Sequence, residues 1–138
     1  MNVQVEWSAP MRFMGRSPKG GVAIMESGGT QGAPAGPSPM ETVLMALAGC
    51  SGIDVVGILE KMRVPLQRLR IDVEAERAGD HPRVFRKIRV RYAASGNGLT
   101  VDQLQRAVTL SVEKYCSVAA ILRQSAELST EVVVERGP

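Results

Sequence analysis

The chain carries two cysteines, Cys50 and Cys116, and a single histidine, His81. These fall short of the four Cys/His ligands of a structural zinc site, and two cysteines do not make a disulfide framework. The chemistry open to them is that of a reactive pair, since a thiolate is a nucleophile and a second thiol can condense with its oxidised form. Each also has a plainer reading as a small buried hydrophobe. Cys50 lies in Ala46-Leu-Ala-Gly-Cys-Ser-Gly-Ile-Asp54, among residues too small to cover it. Asp54, one helical turn further on, opposes a thiolate there, so a thiolate needs a cation from elsewhere in the chain. The chain must supply that Arg or Lys in space rather than in sequence. Cys116 sits in Glu113-Lys-Tyr-Cys-Ser-Val118. If a helix restarts at Ser117, Cys116 lies at its N-terminus, where the dipole favours a thiolate; in a continuous helix that advantage disappears.

The elements that must position these residues follow from patterning. The first 26 residues alternate apolar and polar types in short stretches and predict a small antiparallel sheet. Residues 27–37 are Gly- and Pro-rich and predict an exposed loop. A helix then starts abruptly: Ser38 as N-cap, Pro39 at the first helical position and Glu41 completing a capping box. From Met40 to Leu59 only Glu41, Thr42, Ser51 and Asp54 are polar, so this helix is expected to be buried nearly all round. A bilayer span is disfavoured by Glu41, Asp54 and the glycines at 49, 52 and 57. A small domain has difficulty enclosing such a helix alone, which predicts a homodimer with the helix in the interface.

Pro65 stops the helix, and residues 67–77 and 83–94 predict a hairpin around Gly79-Asp-His-Pro82. A register in which paired numbers sum to about 163 sets Asp72, Glu74 and Glu76 opposite Arg91, Arg89 and Lys87. Arg86 stands out by occupying the apolar parity of its strand. A second capping box at Thr100 opens another helix, running through Leu104, Val108, Val112 and Tyr115. Ser117 to Ala126 is helical in composition, and Leu128 to Glu135 predicts a final strand. The order βββ-α-ββ-α-β gives an α+β fold with a mostly antiparallel sheet and long buried central helices, in a single domain over residues 1–138.

Composition narrows the function. With 44% hydrophobic and 22% charged residues among 138, collagen-like and disordered chains are excluded. A formal charge of +3 is offset across the hairpin, and the 4% aromatic content offers few stacking platforms, so no nucleic-acid partner is expected. His81 is a turn residue with no partner in sequence. The glycine-rich loop lacks the Lys-Ser/Thr end of a phosphate loop. The N-terminus lacks the basic start and apolar stretch of a secretory signal, which predicts a cytoplasmic protein whose thiols are kept reduced.

The stretch Pro37-Ser-Pro-Met-Glu-Thr-Val-Leu-Met-Ala-Leu-Ala-Gly-Cys-Ser-Gly-Ile-Asp54, followed later by Glu113-Lys-Tyr-Cys-Ser-Val118, resembles the OsmC/Ohr family of thiol peroxidases, most of all its OsmC-like branch. The resemblance covers essentially the whole chain. It implies an intertwined homodimer with two interface sites, each holding both cysteines of one chain. It also implies reduction of organic hydroperoxides with Cys50 attacking, Cys116 resolving and an external dithiol reducing the disulfide, with no metal, haem or flavin cofactor. Apolar Met40, Leu44, Met45 and Leu47 suit an organic substrate. Ohr proteins pair an N-terminal arginine with a glutamate ten residues before the first cysteine, and that position is Met40 here. Glu41 is the nearest carboxylate, with capping as its alternative role. Arg12 and Arg16 are the candidate cations, with Arg86 a second choice, and each also reads as a solvated surface charge. The departure at Met40 keeps a second reading open: a non-catalytic protein that holds an apolar or electrophilic small molecule in the interface pocket.

Overall fold

In the computed structural model, which describes residues 1–27 and 35–136, the chain forms two compact units, Met1–Leu44 and Met45–Pro138. Positions 28–34 of the expected 27–37 loop lie outside the described residues. Among the described residues the architecture is α+β, with two three-stranded sheets and three α-helices.

The N-terminal unit holds a meander of β1 (Gln4–Ser8), β2 (Arg12–Arg16) and β3 (Val22–Glu26), antiparallel throughout. Its register places Arg12 opposite Glu26. After β3, the chain doubles back and Glu26 N donates to Pro37 O at 3.0 Å. Gly36 allows that approach, because a Cβ there would stand 2.3 Å from the Ile24 carbonyl oxygen. Ser38 then caps α1 (Pro39–Lys61) as its sequence dictates: Glu41 N donates to Ser38 Oγ at 3.1 Å, and Ser38 N donates to Glu41 Oε1 at 2.9 Å.

In the second unit, α1 buries Leu47, Ser51, Gly52, Val55 and Leu59, an i+4 stripe. Gly52 lets the helix settle on β4, since a Cβ there would lie 3.1 Å from Ile71 Cδ1. Among the described residues of the single chain, the rest of α1 stays at least partly open. Ile53 is 76% and Met45 57% exposed, and only 22% of the most apolar 18-residue window is buried. Within one chain a single sheet covers a single face of the helix. By length and composition α1 could cross a bilayer, but its buried stripe makes it the core helix of this unit. The helix ends as Val64 N donates to Leu59 O and Arg63 N to Glu60 O, a Schellman closure with Arg63 at the left-handed position, φ 62°.

β4 (Arg68–Arg77) and β5 (Phe85–Ser95) pair antiparallel with Asp72, Glu74 and Glu76 opposite Arg91, Arg89 and Lys87, in the expected register. A bulge between Glu76 and Arg77 shifts the end of the hairpin, burying Phe85 and turning Arg86 outward. Arg86 is thereby a surface residue, because the alternation that assigned it to the apolar face does not run through the bulge. β6 (Glu127–Val134) joins β5 in parallel, a departure from the antiparallel pattern. The cause is the helical crossover between them, which returns the chain in the same direction. Ile88, Val90 and Tyr92 of β5, with Leu104 and Val108 of α2 (Val101–Leu110), fill the core of this unit. Burying each such aliphatic side chain contributes about 1.5–3 kcal/mol.

Candidate active site

Cys50, Ser51 and Asp54 come from two successive turns of α1. Cys50 is half-buried and Ser51 is fully buried. Cys116 comes from the β5–β6 crossover. Thr100 caps α2 with the expected box, Gln103 N donating to Thr100 Oγ1 at 3.2 Å and Thr100 N to Gln103 Oε1 at 2.9 Å. The helix does not run on to Tyr115 in α form. It widens into a π-helix over Ser111–Tyr115, closed by Cys116 N donating to Ser111 O at 2.7 Å. The backbone is extended at Cys116, and α3 (Ser117–Leu122) restarts at once. The Arg123 guanidinium donates to Val112 O and ties the end of α3 to the widened turn. Widened turns of this kind are frequent at functional sites.

Cys116 is therefore the N-cap of α3, with Ala119 N donating to its Sγ at 3.4 Å. The expectation that this position yields a thiolate is not met. Burial pushes the Cys116 thiol up to about 11 from 9.0, the amides of Ala119 and Val118 oppose it only in part, and the neighbouring Cys50 raises it further through a hydrogen bond and charge repulsion. One short helix end does not offset removal of a thiolate from water. The two thiols are neighbours, neither in a disulfide, and Cys116 is the buried one.

Beside them runs a buried chain of hydroxyls. Ser51 Oγ lies 2.6 Å from Tyr92 OH and 2.9 Å from Ser111 Oγ, and Ser111 Oγ lies 2.9 Å from Asp54 Oδ2. Each hydroxyl has one hydrogen and a carboxylate only accepts, so the chain is ordered from Tyr92 to Ser51 to Ser111 to Asp54. Burial raises the Tyr92 phenol above its usual value, the Ser51 hydrogen bond lowers it, and Cys116 and Asp54 add to the rise. Among the described residues no buried side-chain polar atom lacks a partner. Sequence reasoning missed this chain: Ser51 reads as one more small residue, and Ser111 as a tolerated serine on a helix.

The other predicted site residues lie in the N-terminal unit. Arg12 Nε donates to the buried Glu26 at Oε1, 2.6 Å away, and Ala35 N donates to Glu26 Oε2 at 3.0 Å. The Arg12 hydrogen bond is the main reason the Glu26 carboxyl sits below its ordinary value. Arg16 is exposed, with Nη2 donating to Met14 Sδ at 3.3 Å. Glu41 is engaged with Ser38 as a cap, which also lowers its pKa. The signal for Glu26 was its cross-strand place opposite Arg12, which appears only once the register is known.

One turn beyond Cys50, a cavity of about 530 Å³ is lined by Ile53, Asp54, Ile58, Lys61, Met62, Arg106, Leu110 and Tyr115. Its walls are largely apolar with two cations among them.

A family model for OsmC-like proteins matches residues 29–131. Protein YhfA of Escherichia coli is 42% identical over 135 residues, covering 96% of this chain and 98% of YhfA. Among solved structures, a protein from Aquifex aeolicus is 31% identical with a TM-score of 0.81, covering 98% of this chain and 97% of its own. The organic hydroperoxide resistance protein OsmC of Legionella pneumophila shares the fold at 13% identity with a TM-score of 0.68, over 97% of this chain and 98% of its own. With the family model spanning most of the chain and a relative so similar over nearly its whole length, the protein belongs to the OsmC-like family.

Proposed function

We propose that the protein is a thiol peroxidase for organic hydroperoxides, with Cys50 attacking and Cys116 resolving. The observation that carries this reading is the pairing of a half-buried thiol, Cys50, with a buried one, Cys116, whose hydrogen-bonding and charge environment includes Cys50. The Cys50 thiolate attacks the terminal oxygen of R–OOH, the O–O bond breaks, and the alkoxide leaves as R–OH after taking a proton. Cys50 is then a sulfenic acid. Cys116 attacks its sulfur, the S–S bond forms, and hydroxide leaves as water with the Cys116 proton. An external dithiol restores both thiols by exchange.

The apolar wall near Asp54 favours a substrate with a carbon body over hydrogen peroxide. Arg12 and Arg16 stay the candidate cations, Arg12 as the one held by the buried Glu26, and Glu41 serves as the helix cap. The working unit in this proposal is a homodimer in the cytoplasm. The dimer's support is the apolar groove of Gly49, Ile53, Val56, Gly57, Leu69 and Ile71, which the described residues leave open.

The test is to add cumene hydroperoxide to the reduced protein and follow free thiols and intact mass. Rapid formation of an intramolecular disulfide and loss of peroxide consumption in Cys50→Ser are expected. Stabilisation by a ligand without peroxide loss would leave the binding-protein reading instead.

A further inference from the structure

We propose that Ser51 and Ser111 are positioning residues for the thiol pair, their hydroxyl contact setting the register in which Cys50 and Cys116 face each other. The inference deepens the proposed function, and its chemistry is testable without a peroxide. Ser51 directly follows Cys50 on α1. Ser111 opens the π-helix, and its carbonyl accepts the Cys116 amide at 2.7 Å. Its hydroxyl lies 2.9 Å from Ser51 Oγ and 3.4 Å from the Ser51 carbonyl oxygen. Each thiol is thus held through one short connection to the same buried contact.

Packing alone does not call for hydroxyls there. Ser51 and Ser111 are both fully buried, and alanine fills nearly the same space. Alanine contacts are non-directional and let the crossover slide along α1 by a fraction of an ångström. A hydrogen bond fixes distance and direction. The ends of the chain restrict it further: Tyr92 from the core of the sheet donates at one end and the Asp54 carboxylate accepts at the other. Since one residue more or fewer in the turn rotates Cys116 away from α1, the widened turn and the serine contact act as one device. Disulfide closure tolerates little error, with Cα atoms required to come within about 7 Å.

The experiment equilibrates the protein with mixtures of reduced and oxidised glutathione and counts closed pairs by intact mass. Two protein thiols and one glutathione disulfide give one protein disulfide and two glutathione thiols, so the equilibrium reports the effective concentration of one thiol at the other. Ser51→Ala and Ser111→Ala should each lower that value at least tenfold, and the double variant should lower it no further than either single one. Alkylation of Cys50 by iodoacetamide should proceed at the wild-type rate in all three, separating lost positioning from lost structure. Should Ser111→Ala fail to fold, Ser51→Ala and Tyr92→Phe carry the same readout. An effective concentration within twofold of wild type in folded Ser51→Ala overturns the inference, as does a wild-type pair that does not close with glutathione disulfide. Absence of peroxide consumption bears on the proposed function alone.

Discussion

Arg12 donates to Glu26 across 2.6 Å between adjacent strands, while Glu41, the carboxylate nearest Met40 in sequence, accepts from the Ser38 backbone N–H. The two glutamates therefore separate by substitution. Glu41→Gln keeps an acceptor for Ser38 N and should leave peroxide turnover within about twofold of wild type, a small change on the scale where a single cap is worth about 1 kcal/mol. Glu26→Gln removes the charge that holds Arg12 and should lower the melting temperature of the protein. Steady-state rates with cumene hydroperoxide check the first, and thermal melts at pH 7 the second.

Acid should act through the same pair. The Glu26 carboxyl lies below its ordinary 4.5 in the folded protein, so the unfolded chain takes up its proton first as pH falls. The stability this supplies is complete above pH 4.5 and is lost as pH drops through the depressed folded value. Thermal melts from pH 6 to 3 should show a steeper decline for wild type than for Glu26→Gln. Parallel curves would count against the pair.

Base acts through Cys116. Its thiol is raised to about 11, so it stays protonated while the same thiol in an unfolded chain ionises near 9.0. Stability should decline as pH rises above 9, because the unfolded state then releases a proton that the folded state keeps. Peptide mapping after iodoacetamide treatment at pH 8 should find label on Cys50 and almost none on Cys116.

The proposed dimer predicts that Ile53→Glu yields a folded monomer. Ile53 is 76% exposed in the single chain, so the substitution leaves that chain's core intact while placing a charge in the apolar groove. Sedimentation velocity at micromolar concentration should show the mass halve. A monomeric wild type would remove the argument altogether.

Arg63 closes α1 in the left-handed conformation that side chains disfavour by about 1–2 kcal/mol. Arg63→Gly removes that penalty but adds freedom to the unfolded chain, leaving a net gain of about 0.5–1 kcal/mol. Urea unfolding with an unchanged slope is the measurement.

What was legible in the sequence was local. Ser38-Pro39 with Glu41 and Thr100 with Gln103 announce helix starts within four residues, and both caps form. The hairpin register followed from charge complementarity, although of the three opposed pairs only Glu74 and Arg89 form an ion pair, at 3.4 Å. Asp72 turns to Arg70 and Arg91 to Glu131 on β6. The unread features join distant positions through groups without a pattern. Ser51 and Ser111 have no periodicity to mark them, and a π-turn differs from an α-turn by one residue that composition does not reveal. The parallel seating of β6 depends on the crossover as a whole.

That seating also governs timing during synthesis. β6 follows Cys116 in the chain and docks beside β5, closing the crossover that carries the thiol. While the nascent chain still lacks β6, the segment bearing Cys116 has no final strand to anchor it. Cys50 emerges long before its counterpart is held in place. The crossover bearing Cys116 is thus pinned at both ends, to β5 before it and to β6 after it, only in the completed sheet.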